Sequence, residues 1–316
     1  MKPLALFLLA ALLLCPLSAC GQRLTFMTWN VENLFDCRDD SLRRDEAFLP
    51  DGEHRWTPHR YWRKLDQLAR TIAAVEPQDG WPALVALMEV ENDSVLHDLT
   101  RRSPLRRAGY AYLVTESPDE RGIDVGLLYQ PSAFRLVRHR SVRVPSVENG
   151  FSPTRDILHA VGILPSGDTL HVLAVHLPSR AGGSARNARH RELASATLCS
   201  VTDSLGQGKV VVMGDFNTEP SDPLFRRFSP SLVTLMPVRR AELRRPQGTY
   251  VFRRQWSFLD HILVSPSLHP HVVSPATVAR FPFLLDKDGF PFRTYRGPAY
   301  MGGVSDHLPL YVQVEL

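Results

Sequence analysis

Lys209-Val-Val-Val-Met-Gly-Asp-Phe-Asn217 is the stretch on which the fold turns. Its apolar run, Val210 to Met213, has no polar alternation, as expected of a strand covered on both faces. It ends abruptly in Gly214, Asp215, Phe216 and Asn217. Polar groups mounted just beyond a buried strand are where chemistry is usually built. The same pattern recurs on either side. Upstream, a strand over Leu170–His176 runs into Leu177-Pro178-Ser179-Arg180, and Ala83–Met88 (ALVALM) runs into Glu89-Val90-Glu91-Asn92. The first strand, Arg23–Val31, carries Trp29-Asn30 at its end, followed by Glu32-Asn33. Downstream, Leu259-Asp260-His261 interrupts a strand over Phe258–Ser265, and Ser305-Asp306-His307 opens the last strand, Leu308–Val314.

Between these segments the pattern predicts further strands at Tyr110–Thr115, Asp124–Tyr129, Phe134–Val142 and Ile157–Leu164, with Pro165–Asp168 turning the last of them into a hairpin. Tyr61, Leu65, Leu68 and Ile72 recur at helical spacing over Arg60–Val75, and Arg186–Leu205 reads as a long helix. A short helix is expected over Ser94–Arg101, capped by Asp93 or Ser94. Cys37–His59, with its Pro50-Asp51-Gly52 turn, reads as a surface insertion, and Pro266–Met301 as a Pro-rich, aromatic loop region. Strands that come in runs rather than strict βαβ alternation favour packed sheets over a Rossmann fold.

The 316 residues are 44% hydrophobic and 22% charged, with 25 Pro and 19 Gly, a composition too apolar for disorder and without fibrous bias. A net charge of +4 comes almost entirely from arginine, since Lys2, Lys64, Lys209 and Lys287 are the lysines; it fits a polyanionic partner without demanding one. Residues 1–19 read as an export signal, with Lys2 before an apolar run from Leu4 to Leu14. Leu17-Ser18-Ala19-Cys20 resembles the bacterial lipobox, which makes Cys20 the lipidation site and the chain an exported, lipid-anchored protein of the bacterial cell envelope. Residues 20–316 then form a single domain. Cys37 and Cys199 remain, to pair or to stay as thiols.

The ordered pieces Trp29-Asn30, Glu89, His176, Gly214-Asp215-Phe216-Asn217, Asp260 and Ser305-Asp306-His307 together resemble the endonuclease/exonuclease/phosphatase superfamily. They span residues 29–307, nearly all of the mature chain. The resemblance implies a deoxyribonuclease-I-like four-layered α/β sandwich, two packed mixed β-sheets flanked by helices. It also implies roles. Glu89, Asn30 and Asp306 supply hard oxygens for Mg²⁺ or Mn²⁺. Asp215 orients or deprotonates the attacking water, and Asn217 holds the phosphate or the base. Asp260 fixes His307 in one tautomer, biased toward the cation, so that it bonds a phosphoryl oxygen; His176 does the same from the opposite side. Whether Asp215 or the Asp260–His307 pair handles the water is left open by the sequence. Arg121, Arg155 and Arg180 are candidates for substrate phosphate, with Asp124 and Ser179 beside them. Glu32 stands where many DNA-acting relatives carry Asp.

The implied activity is a metal-dependent phosphodiesterase, a nuclease acting on DNA or RNA, working as a monomer. A second reading keeps the hydrolysis but makes the substrate a membrane-proximal lipid or sugar phosphoester, in the manner of a sphingomyelinase or inositol phosphatase. In that reading Phe281–Tyr300 forms an apolar lip for a lipid, where the nuclease would use it as a stacking surface; a stretch of this kind is more often simply a packed loop. A third, a catalytically silent binding module, is disfavoured because every expected catalytic position is filled. Zinc catalysis lacks an HExxH or cysteine cluster, and a serine hydrolase lacks GxSxG.

Overall fold

The computed structural model describes residues 21–76, 80–145, 153–179, 185–228, 230–237 and 248–316. Residues 1–19, expected to be an export signal, together with Cys20 and Arg180, lie outside them. In chain order the first half contains β1 (Arg23–Leu34), α1 (Pro58–Ala74), β2 (Leu84–Val90), α2 (Asp93–His97), β3 (Ala111–Val114), β4 (Asp124–Tyr129) and β5 (Arg135–Val142). Then come β6 (Ile157–Ile163), β7 (Thr169–His176), α3 (Ala185–Ser204), β8 (Lys209–Asp215), β9 (Val233–Thr234), β10 (Tyr250–Phe252) and β11 (Gln255–Ser257). The chain closes with β12 (Asp260–Val264), β13 (Thr277–Val278), β14 (Tyr295–Arg296), β15 (Ala299–Tyr300) and β16 (Leu310–Glu315).

Two six-stranded sheets result, ordered β13-β16-β1-β2-β4-β3 and β5-β6-β7-β8-β12-β9. Each is mixed, because β1 runs parallel to β2 and β7 parallel to β8. Side-chain alternation explains how the second sheet is covered on both faces. On β7, Leu170, Val172 and Ala174 join the large core shared with the first sheet, while Leu173 and Val175 pack against Ala194, Leu198 and Val201 of α3. On β8, Val211 and Met213 face inward and Val210 and Val212 outward. On the far side Tyr61, Leu65, Leu68 and Ile72 of α1 join the cluster that contains the first sheet. The layers are therefore helix, sheet, sheet, helix. Truncating fully buried Leu198 or Leu68 to Ala would cost about 2–5 kcal/mol.

Several boundaries differ from the sequence expectation. The first strand runs three residues further, to Leu34, because a bulge lets it continue past Asn30. The short helix begins under Asn92, whose Oδ1 accepts from the Val95 N–H at 3.1 Å, and passes into a π-helical turn at Asp98–Arg102. The segment 37–59 is more than a surface insertion: Trp56 is fully buried and its Nε1–H donates to the Phe35 carbonyl at 2.9 Å. Phe281–Tyr300 is no exposed lip, since Leu284 and Tyr295 are buried, Phe283 lies under the Arg70 guanidinium at 4.1 Å and Phe281 stacks on Phe283. Cys37 and Cys199 are both free thiols. Among the described residues, no helix is long and apolar enough to cross a membrane.

Candidate active site

The register of the second sheet builds half the site. His176 on β7 is the direct partner of Asp215 on β8, and Asp215 that of Asp260 on β12. All three continue the inward-facing alternation of their strands, so they project in a row between the sheets. Gly214 permits the close strand approach beside them: a Cβ there would lie 1.8 Å from the Val175 carbonyl oxygen. His307 arrives on the segment before β16. The Trp29 Nε1–H donates to its carbonyl at 2.9 Å, and Ser305 Oγ both donates to the Asn30 carbonyl (2.6 Å) and accepts from the His307 N–H (3.0 Å).

His307 Nδ1 lies 2.7 Å from Asp260 Oδ2, and its Nε2 3.8 Å from Asp215 Oδ2. Burial alone would lower its pKa, but Asp260 and Asp215, with the Asp260 hydrogen bond and Asp306, hold it well above the ordinary range. It is an imidazolium at neutral pH. His176 presents Nε2 to the same Asp215 oxygen at 3.6 Å and to Glu89 Oε1 at 3.9 Å. Burial, reinforced by Arg155, Arg121 and His307, pushes its pKa well below the ordinary value, so it is neutral. Asp215 thus lies between a charged and a neutral histidine. Its Oδ2 accepts from Asn30 Nδ2 (3.0 Å) and its Oδ1 from the Asn217 N–H (2.8 Å). Desolvation outweighs the His307 charge and pushes Asp215 up to about 7.

The first sheet supplies the remaining carboxylates through bulged backbone. Glu32, Asn33 and Glu89 have φ of 52°, 53° and 64°. Glu89 Oε2 accepts from the Asn33 N–H at 2.9 Å, and Arg121 Nη2 lies 3.6 Å from Oε1. Burial would raise Glu89, yet Arg121, His307, the Asn33 N–H and Arg155 together keep it below its ordinary range, fully ionised. Asp306 is raised by burial and by Glu89 against the pull of His307 and Arg293, whose Nη2 is 3.3 Å from Oδ2. Two carboxylates that repel one another across a shared cavity suit a divalent cation between them. Asn30 lines the same cavity, though its amide is spent on Asp215 and, through Oδ1, on the Glu32 N–H (3.0 Å).

These groups converge on one cavity of about 480 Å³, lined also by Asn217, Arg121, Arg155, Tyr250 and Phe252. Asn217, at φ 48°, donates Nδ2 to the Leu177 carbonyl at 2.9 Å. Arg155 reaches the cavity wall, but its guanidinium is held by Asp119 (3.1 Å) and the Leu177 carbonyl (3.0 Å), so it serves more as a brace than as a free phosphate ligand. Asp124 stands apart from the cavity lining, accepting from Thr115 Oγ1 and the Ser117 N–H at 2.5 and 2.9 Å. A buried Asp215–Asp260–His307 group, its ligand atoms within 4.8 Å of one another, also has the donor set of a cation site. The 2.7 Å His307–Asp260 contact is a hydrogen bond, tighter than the roughly 3 Å between neighbouring ligands of a metal bound at about 2.1 Å.

Two features escaped the sequence reading. Lys64 is buried beneath the site, donating to the Glu32 carbonyl and to Thr294 Oγ1 (2.9 Å); burial lowers its pKa against the charges of Glu32, Glu89 and Asp306. Glu32 itself accepts from the Thr294 and Tyr295 N–H groups at 2.6 and 3.3 Å, and burial raises it. A scarce lysine amid Tyr61, Leu65 and Leu68 was the available signal. The β10–β11 hairpin, which roofs the cavity with Tyr250 and Phe252, was the other.

The chain belongs to the Endonuclease/Exonuclease/phosphatase family, whose model matches residues 25–316. The human Nocturnin catalytic domain, solved with bound sulfate, superposes with a TM-score of 0.57 at 20% identity, covering 93% of this chain and 94% of that one. An endonuclease/exonuclease/phosphatase family protein from Bacteroides thetaiotaomicron gives 0.58 at 17% identity, covering 93% and 98%. TDP2 of D. rerio, complexed with single strand DNA product, gives 0.56 at 15% identity, covering 93% and 99%. These likenesses establish the deoxyribonuclease-I-like fold. No curated protein matches the sequence.

Proposed function

We propose that the protein is a divalent-metal-dependent phosphodiesterase that cleaves P–O bonds in nucleic acid. The observation that carries this reading is the convergence of an ionised Glu89, Asp306, a His307–Asp260 pair and Asp215 on a single cavity. Mg²⁺ or Mn²⁺ held by Glu89 and Asp306, with the Asn30 oxygen beside them, would neutralise charge on the phosphoryl group. The protein's own groups supply the rest. Asp215, its pKa near the operating pH, takes the proton of the attacking water, with Asn30 and the Asn217 N–H fixing both of its oxygens. His307, charged and oriented by Asp260, bonds a phosphoryl oxygen as negative charge grows there. Neutral His176 donates or accepts on the opposite side of Asp215, and Asn217 orients the phosphate. Arg121, on the cavity wall, adds cationic reach toward the substrate, and the sequence alone suggests the same role for Arg180.

The supporting likeness is to a family of phosphoric ester hydrolases, one solved relative of which holds single-stranded DNA. The packing of Phe281–Tyr300 removes both the apolar lip of the lipid-phosphoester reading and the stacking surface the nuclease reading drew from it, so neither rests on that stretch. Supercoiled-plasmid nicking by the purified protein tests the proposal. Nicking is expected with Mg²⁺ or Mn²⁺, abolished by EDTA, and Glu89→Gln should need at least about tenfold more metal for half-maximal rate. A folded protein that nicks equally well in EDTA would sink the metal assignment. We further propose that residues 1–19 are removed and that a lipid on Cys20 anchors a monomeric domain, residues 20–316, to an envelope membrane. The motif Leu17-Ser18-Ala19-Cys20 supports this. Cys20→Ala should then shift the protein from the membrane to the soluble fraction, and unchanged fractionation would overturn it.

A further inference from the structure

Beside the candidate active site lies a second cavity of about 360 Å³, lined by Phe252, Arg253, Arg254, Phe290, Arg293, Arg296 and Asp306 among others. The two cavities share Phe252 and Asp306 and therefore adjoin. The β10–β11 hairpin contributes side chains to both. Its strands pair Tyr250 with Ser257 and Phe252 with Gln255, leaving Arg253 and Arg254 as a two-residue loop. Both loop residues have positive φ, 48° and 66°. Such a turn is built most cheaply from Asn-Gly or Gly-Gly. Two arginines hold it here against that preference, so the turn's composition is not explained by its backbone.

The side chains supply a reason. Tyr250 and Phe252 are two apart on β10 and share one face. Tyr250 packs on the His307 ring at 4.7 Å between centroids, so it is bound into the site. Phe252, about 7 Å further along the strand, is 59% exposed, which is unusual for a Phe beside a polar cavity. The Arg253 guanidinium lies 5.2 Å from the Phe252 ring and that of Arg254 5.1 Å from Phe290. Arg254 is balanced by Asp288 at 3.5 Å and Arg293 by Asp306 at 3.3 Å. Arg293 and Arg296 line the second cavity beside Arg253.

Resting on the phosphodiesterase reading above, we infer that the substrate is a single strand of nucleic acid. One phosphate enters the active site, the adjoining base stacks on Phe252, and the next phosphate lies against Arg253, Arg293 and Arg296. An open aromatic face takes any base that is not already stacked in a duplex, and arginines bracket the backbone that carries it. A small phosphomonoester would use neither.

Binding of a fluorescein-labelled twelve-residue oligodeoxythymidylate to the purified protein in EDTA, read by anisotropy, tests this without turnover. Phe252→Ala should weaken binding about tenfold. Arg253→Gly should weaken it as well and lower the slope of log affinity against log salt by about one. Because glycine suits the positive φ, Arg253→Gly should keep or raise the thermal midpoint, which separates lost contact from lost fold. Arg138→Gly, on exposed β5 at the far edge of the second sheet, should bind like wild type. The inference is overturned if the wild type does not bind, if Phe252→Ala or Arg253→Gly binds as wild type does, if Arg138→Gly is weakened equally, or if Phe252→Ala loses anionic-vesicle binding instead. Intact oligonucleotide binding by a protein that never hydrolyses it would count against the phosphodiesterase reading and leave the strand-binding surface standing.

Discussion

The two sheets reach one cavity by different means. In the second sheet the ladder is unbroken where it meets the site: His176, Asp215 and Asp260 are in register across β7, β8 and β12, and each side chain points inward because its strand alternates that way. In the first sheet the ladder is broken where it meets the site. The β1–β2 register shifts between Asn30 and Leu34, the β2–β4 register between Met88 and Val90, and Glu32, Asn33 and Glu89 occupy left-handed backbone. A bulge re-aims side chains at the cost of local strain. The difference separates two tasks. In the proposed mechanism the groups that exchange a proton are spaced by the most regular part of the lattice. Glu89, the carboxylate proposed to face a cation, is set on bent backbone that also turns an amide, the Asn33 N–H, toward it.

The sharpest way to break this comparison is at the centre of the regular row. Asp215→Asn keeps the shape but removes the base, and with one acceptor oxygen in place of two it leaves either Asn30 Nδ2–H or the Asn217 N–H without a partner. A fall of about 10³-fold in kcat/KM is expected, with the fold retained and the unfolding midpoint shifted by no more than that one lost hydrogen bond, about 1–3 kcal/mol. Steady-state hydrolysis of bis(p-nitrophenyl) phosphate alongside thermal melting checks it, and near-wild-type turnover would mean that the His307–Asp260 pair handles the water alone.

The same ladder makes a second, smaller prediction away from the site. On the α3 face of β6 and β7, His159 Nε2 lies 3.1 Å from His171 Nδ1. Burial, followed by the charges of His171, Arg140 and Arg138, pushes His159 down to about 4. Its unfolded value is near 6.5, so between those values the unfolded chain binds more protons than the folded one. The stability from keeping it neutral is complete above about pH 6.5 and is lost as pH falls toward 4, about 2 kcal/mol of it by pH 5. His159→Gln should therefore lose less stability than wild type between pH 7.5 and pH 5, measured by urea midpoints. Parallel losses in both proteins would show that this histidine is not the source.

How much of this was legible in the sequence follows the same division. His176 and Asp215 could be found because each ends an apolar run, and Asp260 because it interrupts one, while their roles came from the family resemblance; a regular strand carries position in sequence into position in space. Glu89 could be found for that reason too, but the bulge that aims it could not: an extra residue in a ladder leaves no mark when Glu and Asn, rather than Gly, adopt the positive φ. The β10–β11 hairpin was missed because its strands are three residues long and its turn carries Arg-Arg in place of turn residues. For Phe281–Tyr300 the sequence left lip, stacking surface and packed loop all open, because aromatic content does not say which side chains are packed; the stretch is a packed loop. Lys64 was passed over as one more charge, though its place among Tyr61, Leu65 and Leu68 required a buried partner.

The bulged side of the comparison can be sharpened at Asn33, where backbone and side chain separate. Its N–H holds Glu89 Oε2, and its φ of 53° is left-handed. Asn and Ala both carry a Cβ that crowds the following carbonyl in that conformation, but the short polar Asn side chain offsets this by local hydrogen bonding that Ala lacks, and Gly has no Cβ to crowd. Asn33→Ala should cost about 1 kcal/mol of stability, while Asn33→Gly costs a few tenths or less and keeps the N–H in place. Because only the amide reaches Glu89, Asn33→Gly should retain the wild-type metal requirement in the nicking assay. If Asn33→Gly instead raised that requirement while leaving the melting midpoint alone, the Asn33 side chain, and not the bend, would be what prepares Glu89 for its cation.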